Sequence, residues 1–195
     1  METKEKNFEQ DIESWLLSEG GYVKGTMATY DKKRAIDMPV LIHFIEATQS
    51  KQWERYKNIY GEQAEQQLYK IFQSNVTQSG LIYVLRNGIK DRGIGLKFVY
   101  FEPASGLNEE LVEKYKANIL TETRQFFYST ENKNSIDMVL SVNGIPIVAL
   151  ELKISSLIRR LKTPDTSICM IVTPRSRYSN STTAYWLALV WIWKR

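Results

Sequence analysis

This 195-residue chain contains only one cysteine, Cys169, and only one histidine, His43. This scarcity excludes a disulfide framework and makes a zinc site built from cysteine and histidine implausible. The chain also lacks any run of about 18 apolar residues, so we expect no membrane-spanning segment. The N-terminal stretch METKEKNFEQ lacks the apolar core of a signal peptide, and we therefore expect a cytoplasmic protein.

The excess of positive charge is confined to one end of the chain. Residues 154–195 contribute +6 to the net charge of +4, because they carry seven lysines and arginines against Asp165 alone. Residues 1–153 are therefore slightly acidic, at −2. The sequence pI of about 9.0 thus gives little support for nucleic-acid binding by the body of the chain. With 43% hydrophobic and 25% charged residues, the composition is that of a globular protein of one domain.

The spacing of apolar residues predicts a mixture of helices and strands, and so an α/β protein. GLIYVLRNG fits either a short helix or a strand, and we predict a helix there. The other predicted helices are NFEQDIESWLLSEGGY, TQSKQWERYKNIYGEQAEQQLYKIFQSN with a break near Gly61, and SGLNEELVEKYKAN with an N-cap at Ser105 or Asn108. The predicted strands are IGLKFVYFEP, which Pro103 ends, and ILTETRQFFYS.

The segment SIDMVLSVNGIPIVALELK, residues 135–153, predicts a β-hairpin. Its two apolar runs flank Asn143-Gly144, the strongest short-range signal for a hairpin turn. Alternation along the second strand places Glu151 and Lys153 on one face. A two-residue turn would pair residue 137 with 150, whereas a three-residue turn with a bulge would pair it with 151. We predict the bulged turn, because it brings Asp137 to Glu151 and Lys153.

Two carboxylates and a lysine at one point suit a metal-dependent phosphodiesterase. Carboxylate oxygens bind Mg²⁺, and a neighbouring ammonium can orient a metal-bound water or offset charge that builds up in the transition state. The alternative is a half-exposed sheet on which Glu151 and Lys153 are merely solvated, since E-x-K is a common spacing. Both strands are too apolar for a solvent-facing pair, which favours the functional interpretation.

These residues carry a resemblance to a known family. D…E-x-K across a hairpin resembles the PD-(D/E)xK nuclease superfamily. The longer stretch TRQFFYSTENKNSIDMVLSVNGIPIVALELK is similar to the N-terminal nuclease domain of the R subunit of type I restriction enzymes, and FEQDIESWLLSEGGY is similar to that domain's first helix. The resemblance covers roughly residues 8–153. It implies an α/β restriction endonuclease-like fold, with a central mixed sheet flanked by helices.

The resemblance also implies a site and an activity. Asp137 and Glu151 correspond to metal ligands, and Lys153 corresponds to the catalytic lysine that acts with them. Glu9 matches an acidic residue of the first helix that often completes the metal site, although a solvated helix charge explains it equally well. The implied enzyme is a Mg²⁺-dependent type I site-specific deoxyribonuclease, with Mn²⁺ as a substitute and double-stranded DNA as substrate.

Beyond Lys153 the sequence departs from the family. No G-x-x-x-x-G-K-[ST] motif occurs, so ATP and the motor domains belong to the full-length subunit, together with its methyltransferase and specificity partners. We divide the chain into residues 1–153, the N-terminal part of the nuclease domain, and residues 154–195, an aberrant tail. A shifted reading frame can turn residues 153–174 into the family-like NQFTNQTVEDARYQYMYDRDP. The alternative is a genuine C-terminal strand in AYWLALVWIW.

Two other functions remain open at this point. A stand-alone repair nuclease of the same superfamily would require a selected, structured C-terminus. A non-catalytic DNA-binding domain could keep the fold without binding metal, and loss of metal binding on Asp137→Ala would argue against it.

Overall fold

The computed structural model describes residues 2–129, 134–153 and 167–170. The chain divides into two compact units. The first comprises residues 1–35, 120–141 and 146–195, and the second comprises residues 36–119 with the four residues 142–145. The second unit is thus a long insertion between the first short strand and the main strands of the sheet.

The first unit is built on a five-stranded mixed sheet. Its strands, in their order across the sheet, are β1 (Val23–Lys24), β4 (Leu120–Phe127), β5 (Ser135–Val142), β6 (Ile145–Lys153) and β7 (Ser167–Met170). Strand β1 runs parallel to β4, and β6 runs antiparallel to β7. Helix α1 (Glu2–Ser18) precedes β1 in this unit.

Two apolar clusters hold the first unit together. In one of them Leu16 of α1 packs with Met138 of β5 and Leu150 of β6, and Phe8 and Ile12 contribute from the same face of the helix. The spacing of Phe8, Ile12 and Leu16 is the helical repeat that the sequence predicted for this segment. The second cluster combines Phe126, Val139 and Ala149 with the partly buried side chains of Met27, Tyr30 and Ile136.

The second unit is mainly helical. Its largest fully buried side chains include Phe44, Trp53, Tyr56, Phe72 and Phe98, and the rings of Phe72 and Phe98 meet edge to face with centroids 4.7 Å apart. Its elements are α2 (Met38–Tyr60), a 3-10 turn (Gly61–Gln63), α3 (Ala64–Ser79), α4 (Leu81–Asn87), the hairpin strands β2 (Ile89–Asp91) and β3 (Ile94–Leu96), and α5 (Glu109–Lys116).

Most sequence predictions for this unit are confirmed. The helix break falls at Gly61, GLIYVLRNG is a helix, and Asn108 caps α5 by accepting a hydrogen bond from the amide of Leu111. Helix α2, however, begins about ten residues earlier than the pattern TQSKQWERYKNIY suggested. Asp37 caps it, and Pro39 occupies its first turn, so the sequence did contain a start signal.

The strand predicted for IGLKFVYFEP is wrong beyond Leu96. Two amide side chains take the backbone hydrogen bonds that a neighbouring strand would otherwise satisfy. Gln49 receives a bond from the amide of Lys97 (2.7 Å) and donates to its carbonyl (2.8 Å), and Asn118 does the same for Tyr100 (3.2 and 2.6 Å). Gln49 reaches Lys97 because α2 kinks there, with φ −144° and ψ 38° at Gln49.

The hairpin of residues 135–153 is confirmed, but its turn differs from the prediction. Strands β5 and β6 are neighbours in the sheet and are joined by Asn143 and Gly144 alone. Such a connection makes them antiparallel. Both turn residues have positive φ, 50° at Asn143 and 77° at Gly144, which is the pattern of a two-residue type I′ turn. The three-residue bulged turn is therefore wrong.

The tail beyond Lys153 is described only at β7. Residues 167–170 pair antiparallel with β6, with Leu150 opposite Met170 and Lys153 opposite Ser167. The rest of the segment predicted to be out of frame, including AYWLALVWIW, lies outside the described residues. The domain division at 153/154 stays a prediction. No helix in the described parts of the chain has the length and apolar character to cross a membrane.

Candidate functional site

The predicted catalytic residues lie at one end of the hairpin. Asp137 is the third residue of β5, and Glu151 and Lys153 are in the last three positions of β6. Since the strands are antiparallel and adjacent, the start of β5 and the end of β6 lie at the same end of the sheet. Asp137 and Glu151 are both partly buried. The backbone of Lys153 is described, whereas its side chain lies outside what the structure describes.

The other end of the hairpin is anchored through Asn143, which is fully buried. Its backbone amide donates to the carbonyl of Ile119 (2.8 Å), and its side-chain oxygen accepts from the Ile119 amide (2.7 Å). Its side-chain nitrogen donates to the carbonyl of Phe98 (2.8 Å) and to the Asn118 side-chain oxygen (3.0 Å). The side-chain oxygen of Asn143 and its side-chain nitrogen are thus all hydrogen-bonded, which stabilises the turn in this conformation.

Gly144 allows the turn to approach Asp37 closely. Its carbonyl accepts a hydrogen bond from the amide of Asp37 (2.9 Å), at the start of α2. A Cβ at position 144 would collide with the carbonyl oxygen of Asp37, and φ is also in the left-handed region. The dipeptide Asn-Gly is therefore selected both by the turn and by the close approach of Asp37.

Arg124 of β4 joins two glutamates of helix α1. It donates from Nη2 to Glu9 Oε2 (2.9 Å) and from Nη1 to Glu13 Oε2 (2.7 Å). Glu9 and Glu13 are one helical turn apart, so both carboxylates face the same guanidinium. Lys24 of β1 donates to the second oxygen of Glu13 (2.7 Å). Arg124 and Lys24 therefore neutralise the two glutamates and attach α1 to the sheet.

A third carboxyl group, that of Glu122, lies in this ionic cluster. Glu122 is fully buried, and neither of its carboxyl oxygens has a hydrogen-bond partner among the described residues. Burial raises its pKa above the usual value of 4.5, and the charge of Glu13 adds to this effect, while Lys24 and Arg124 oppose it. The pKa of Glu13 is lowered instead, mainly by its hydrogen bond from Lys24. The pKa shifts of Glu122 and Glu13 are therefore opposite in direction.

Glu9, which the resemblance implied as a metal ligand, is paired with a cation in the structure. Its carboxylate is buried and paired with Arg124. Among the described residues, no three histidine, cysteine, aspartate or glutamate side chains form a group that could hold a metal. Glu9 therefore does not complete a three-carboxylate centre with Asp137 and Glu151 in this conformation. Its assignment as a metal ligand stays a prediction, and it requires that Glu9 leave Arg124.

Sequence reasoning missed Arg124 and Glu122. The alternation of ILTETRQFFYS indicated a strand, and it placed Glu122 and Arg124 on one face, two residues apart. A charged pair on one face of a central strand was the available signal. The partners of Arg124 on α1 are more than 100 residues away in sequence, so the ionic cluster itself had no local signature.

Comparison with known proteins identifies the family. The mixed sheet, its N-terminal helix and the hairpin with its acidic residues define an α/β domain of the restriction endonuclease-like class. The family described as type I restriction enzyme R protein N terminus matches residues 45–168. The chain belongs to this family. The matched range contains the whole hairpin and excludes α1 with Glu9. Searches of curated proteins and of solved structures gave no match.

Proposed function

We propose that this chain is the nuclease domain of a type I restriction R subunit and that it hydrolyses phosphodiester bonds of double-stranded DNA with Mg²⁺. Membership of the family supports the restriction function. The observation that carries the proposal is the hairpin, which has Asp137 near the start of one strand and Glu151 and Lys153 at the end of its neighbour.

The packing on either side of the hairpin supports a shared face for the two carboxylates. Met138 and Leu150 belong to one apolar cluster, and Val139 and Ala149 belong to the other. With regular alternation, Asp137 is on the same face as Val139, and Glu151 is on the same face as Ala149. A two-residue turn with regular pairing would put Asp137 and Glu151 on opposite faces. A shared face therefore requires that the pairing of the two strands shift by one residue between the turn and the clusters, as a β-bulge provides.

The donor set fits a magnesium ion. Asp137 and Glu151 would hold it through carboxylate oxygens, which are the ligands that Mg²⁺ and Mn²⁺ prefer, and the remaining positions would be filled by water and substrate oxygens. When bound, such an ion polarises the phosphoryl group and lowers the pKa of a bound water. Lys153 would supply a positive charge next to the phosphate in the transition state. Its ammonium has no lone pair for the metal, so its role is separable from metal binding.

A complete R subunit would act together with further domains and partner subunits. The family resemblance implies ATP-driven motor domains and methyltransferase and specificity subunits as partners. Cleavage by this chain alone would then be weak and would lack the control that those partners exert. A direct assay therefore needs a long incubation and a sensitive substrate, such as a supercoiled plasmid in which one nick is visible.

The test compares nicking of supercoiled plasmid by the full chain and by Lys153→Ala, each with Mg²⁺, Mn²⁺ or Ca²⁺. We expect nicking with Mg²⁺ and Mn²⁺ but not with Ca²⁺, and a loss of at least about 100-fold in Lys153→Ala. Lys90→Ala is the matched control, because Lys90 is an exposed lysine of the β2–β3 hairpin. Undiminished nicking by Lys153→Ala would refute the role of Lys153. DNA binding without cleavage by the unaltered chain would favour a non-catalytic DNA-binding domain.

A further inference from the structure

Strand β4 pairs with β5 in a register that sets Gln125 opposite Asp137. The two strands are neighbours in the sheet, and the connection between them, residues 128–134, is too short for the crossover that parallel strands need. They are therefore antiparallel. The backbone amide of Asn143 donates to the carbonyl of Ile119 (2.8 Å), which places these two residues opposite each other. Counting six residues forward from Ile119 and six back from Asn143 leads to Gln125 and Asp137.

The alternation of faces slips by one residue at this level of both strands. In β4, Arg124 binds the carboxylates of α1, whereas Phe126 packs into the second apolar cluster, on the other face of the sheet. In β5, Met138 packs with α1, whereas Ile136 contacts the second cluster. Regular alternation would keep residues two apart on one face. The slip in β4 falls at Gln125, which has a positive φ of 47°, and irregularities of this kind re-aim side chains next to active sites.

Glutamine is an unfavourable residue for the backbone conformation at position 125. The left-handed region is disfavoured for any residue that has a Cβ, and glycine would adopt it freely. The slip lets the ring of Phe126 meet that of Tyr30 edge to face, with centroids 4.6 Å apart. This packing explains why the strand slips, but it does not explain why a glutamine stands at the slip. Strained residues are concentrated at functional sites, so the side chain of Gln125 is the feature that needs a function.

The side-chain amide of Gln125 is available to a ligand. Gln125 is exposed, and its Oε1 accepts a hydrogen bond from Ser135 Oγ (3.4 Å). Its Nε2 donates to no oxygen atom in the described parts of the chain. With Asp137 and Glu151 on a shared face, Gln125 of β4, Asp137 of β5 and Glu151 of β6 form a row across three adjacent strands. An uncharged N–H donor therefore lies beside the two carboxylates, on the side away from β6.

We propose that Gln125 binds the phosphodiester of DNA at the hairpin site, through a hydrogen bond from Nε2 to a non-bridging phosphate oxygen. This inference rests on the proposed nuclease function. Glutamine is one of the side chains that donate to DNA phosphates. Because its amide is neutral, it can bind an anion without forming an ion pair with the metal-binding carboxylates, as a lysine at this position would. Gln125 thus binds substrate and not the metal ion.

The experiment compares the full chain with Gln125→Gly, which tolerates the positive φ and removes the amide. A short duplex is titrated in Ca²⁺, which should occupy the site without cleavage, and the affinity is read from fluorescence anisotropy. Gln125→Gly should bind the duplex about tenfold more weakly and nick plasmid in Mg²⁺ with a kcat/KM about tenfold lower, the effect of one hydrogen bond to a charged group. Its Mn²⁺ affinity, measured by electron paramagnetic resonance, should be unchanged. Its midpoint of urea unfolding should be no lower than that of the unaltered chain, because glycine relieves the strain.

Ala35→Gly is the matched control. Ala35 also has a positive φ, of 54°, so the change relieves the same kind of strain and removes no hydrogen-bonding group. It should leave duplex affinity and nicking unchanged. If Gln125→Gly does not fold, Gln125→Glu serves instead, because it keeps the size of the side chain and replaces the N–H donor with a charge that repels phosphate. Gln125→Glu should weaken duplex binding at least as much as Gln125→Gly.

Unchanged duplex affinity in Gln125→Gly overturns the proposal. A weaker Mn²⁺ affinity in the same variant also overturns it, because Gln125 would then act on the metal ion, through Oε1. Failure of the nuclease function is recognised separately, by full Mn²⁺ affinity in Asp137→Asn or by an unaltered chain that nicks with no metal ion. In that case the duplex titration still decides the role of Gln125: a loss of affinity in Gln125→Gly supports a contact with DNA, and no loss refutes it.

Discussion

Arg124 and Glu9 are joined by a hydrogen bond of 2.9 Å between Nη2 and Oε2, across 115 residues of sequence. The same guanidinium binds Glu13, so helix α1 is fixed to β4 at two successive turns. This relationship connects helix α1 to the sheet that carries the hairpin. We therefore expect the ionic cluster around Arg124 to contribute to the free energy of unfolding.

Glu13→Gln should destabilise the protein by about 2 kcal/mol, because it leaves Lys24 and Arg124 without the charge that they now share. The lowered pKa of Glu13 means that its contribution is present above pH 4.5 and is lost as pH falls through the folded-state pKa. Urea unfolding at pH 7 and at pH 3 measures both effects. Glu19→Gln changes an exposed glutamate just beyond the end of the same helix and should cost far less. Equal effects of the two changes would contradict the role of the cluster.

The contribution of Glu122 to stability should depend on pH in the opposite sense to that of Glu13, and Glu122→Gln tests this. The pKa of Glu122 is raised in the folded state, so stability is lost as pH rises from 4.5 through that pKa, where a buried carboxyl without a described partner must ionise. The glutamine cannot ionise. The variant should therefore be more stable than the unaltered chain by on the order of 1 kcal/mol at pH 8, and the difference should vanish below pH 4.5. Thermal unfolding across this range measures it, with the exposed Glu102→Gln as control.

Asn143 offers a test that separates backbone conformation from side-chain bonding. Asn143→Gly tolerates the positive φ but loses the bonds to Ile119, Phe98 and Asn118, and it should cost about 2 kcal/mol. Asn143→Ala loses the same bonds and also pays about 1 kcal/mol for the left-handed conformation. Denaturant unfolding should therefore rank the alanine variant below the glycine variant. The reverse order would mean that the turn does not keep its φ of 50° in solution.

The local parts of this fold could be predicted from sequence. The apolar repeat of Phe8, Ile12 and Leu16 gave helix α1, and Asn143-Gly144 gave the hairpin, because both signals act over a few residues. The turn type was mispredicted from a functional argument: the register that joins Asp137 to Glu151 does not have to be set at the turn. A shift elsewhere in the strands can achieve it.

Contacts over long sequence separations were beyond prediction. Residues 97–100 looked like a strand, yet the partners of Lys97 and Tyr100 are the side chains of Gln49 and Asn118. β-Branched and aromatic residues indicate an extended backbone, but they do not indicate which groups form hydrogen bonds with that backbone. The Arg124 cluster is similar, since nothing near Glu9 in the sequence points to β4. For the candidate site, the residue types were readable from sequence, but the partner that holds Glu9 was not.

The central claim is that Asp137 and Glu151 share one metal ion. Its most direct test is a calorimetric titration of the full chain with Mn²⁺, compared with Asp137→Asn, Glu151→Gln and the exposed control Glu54→Gln. We predict one ion per chain in the unaltered protein and in Glu54→Gln, and an affinity at least tenfold lower in each of the two hairpin variants. Unchanged Mn²⁺ affinity in either Asp137→Asn or Glu151→Gln would contradict a metal site on this hairpin.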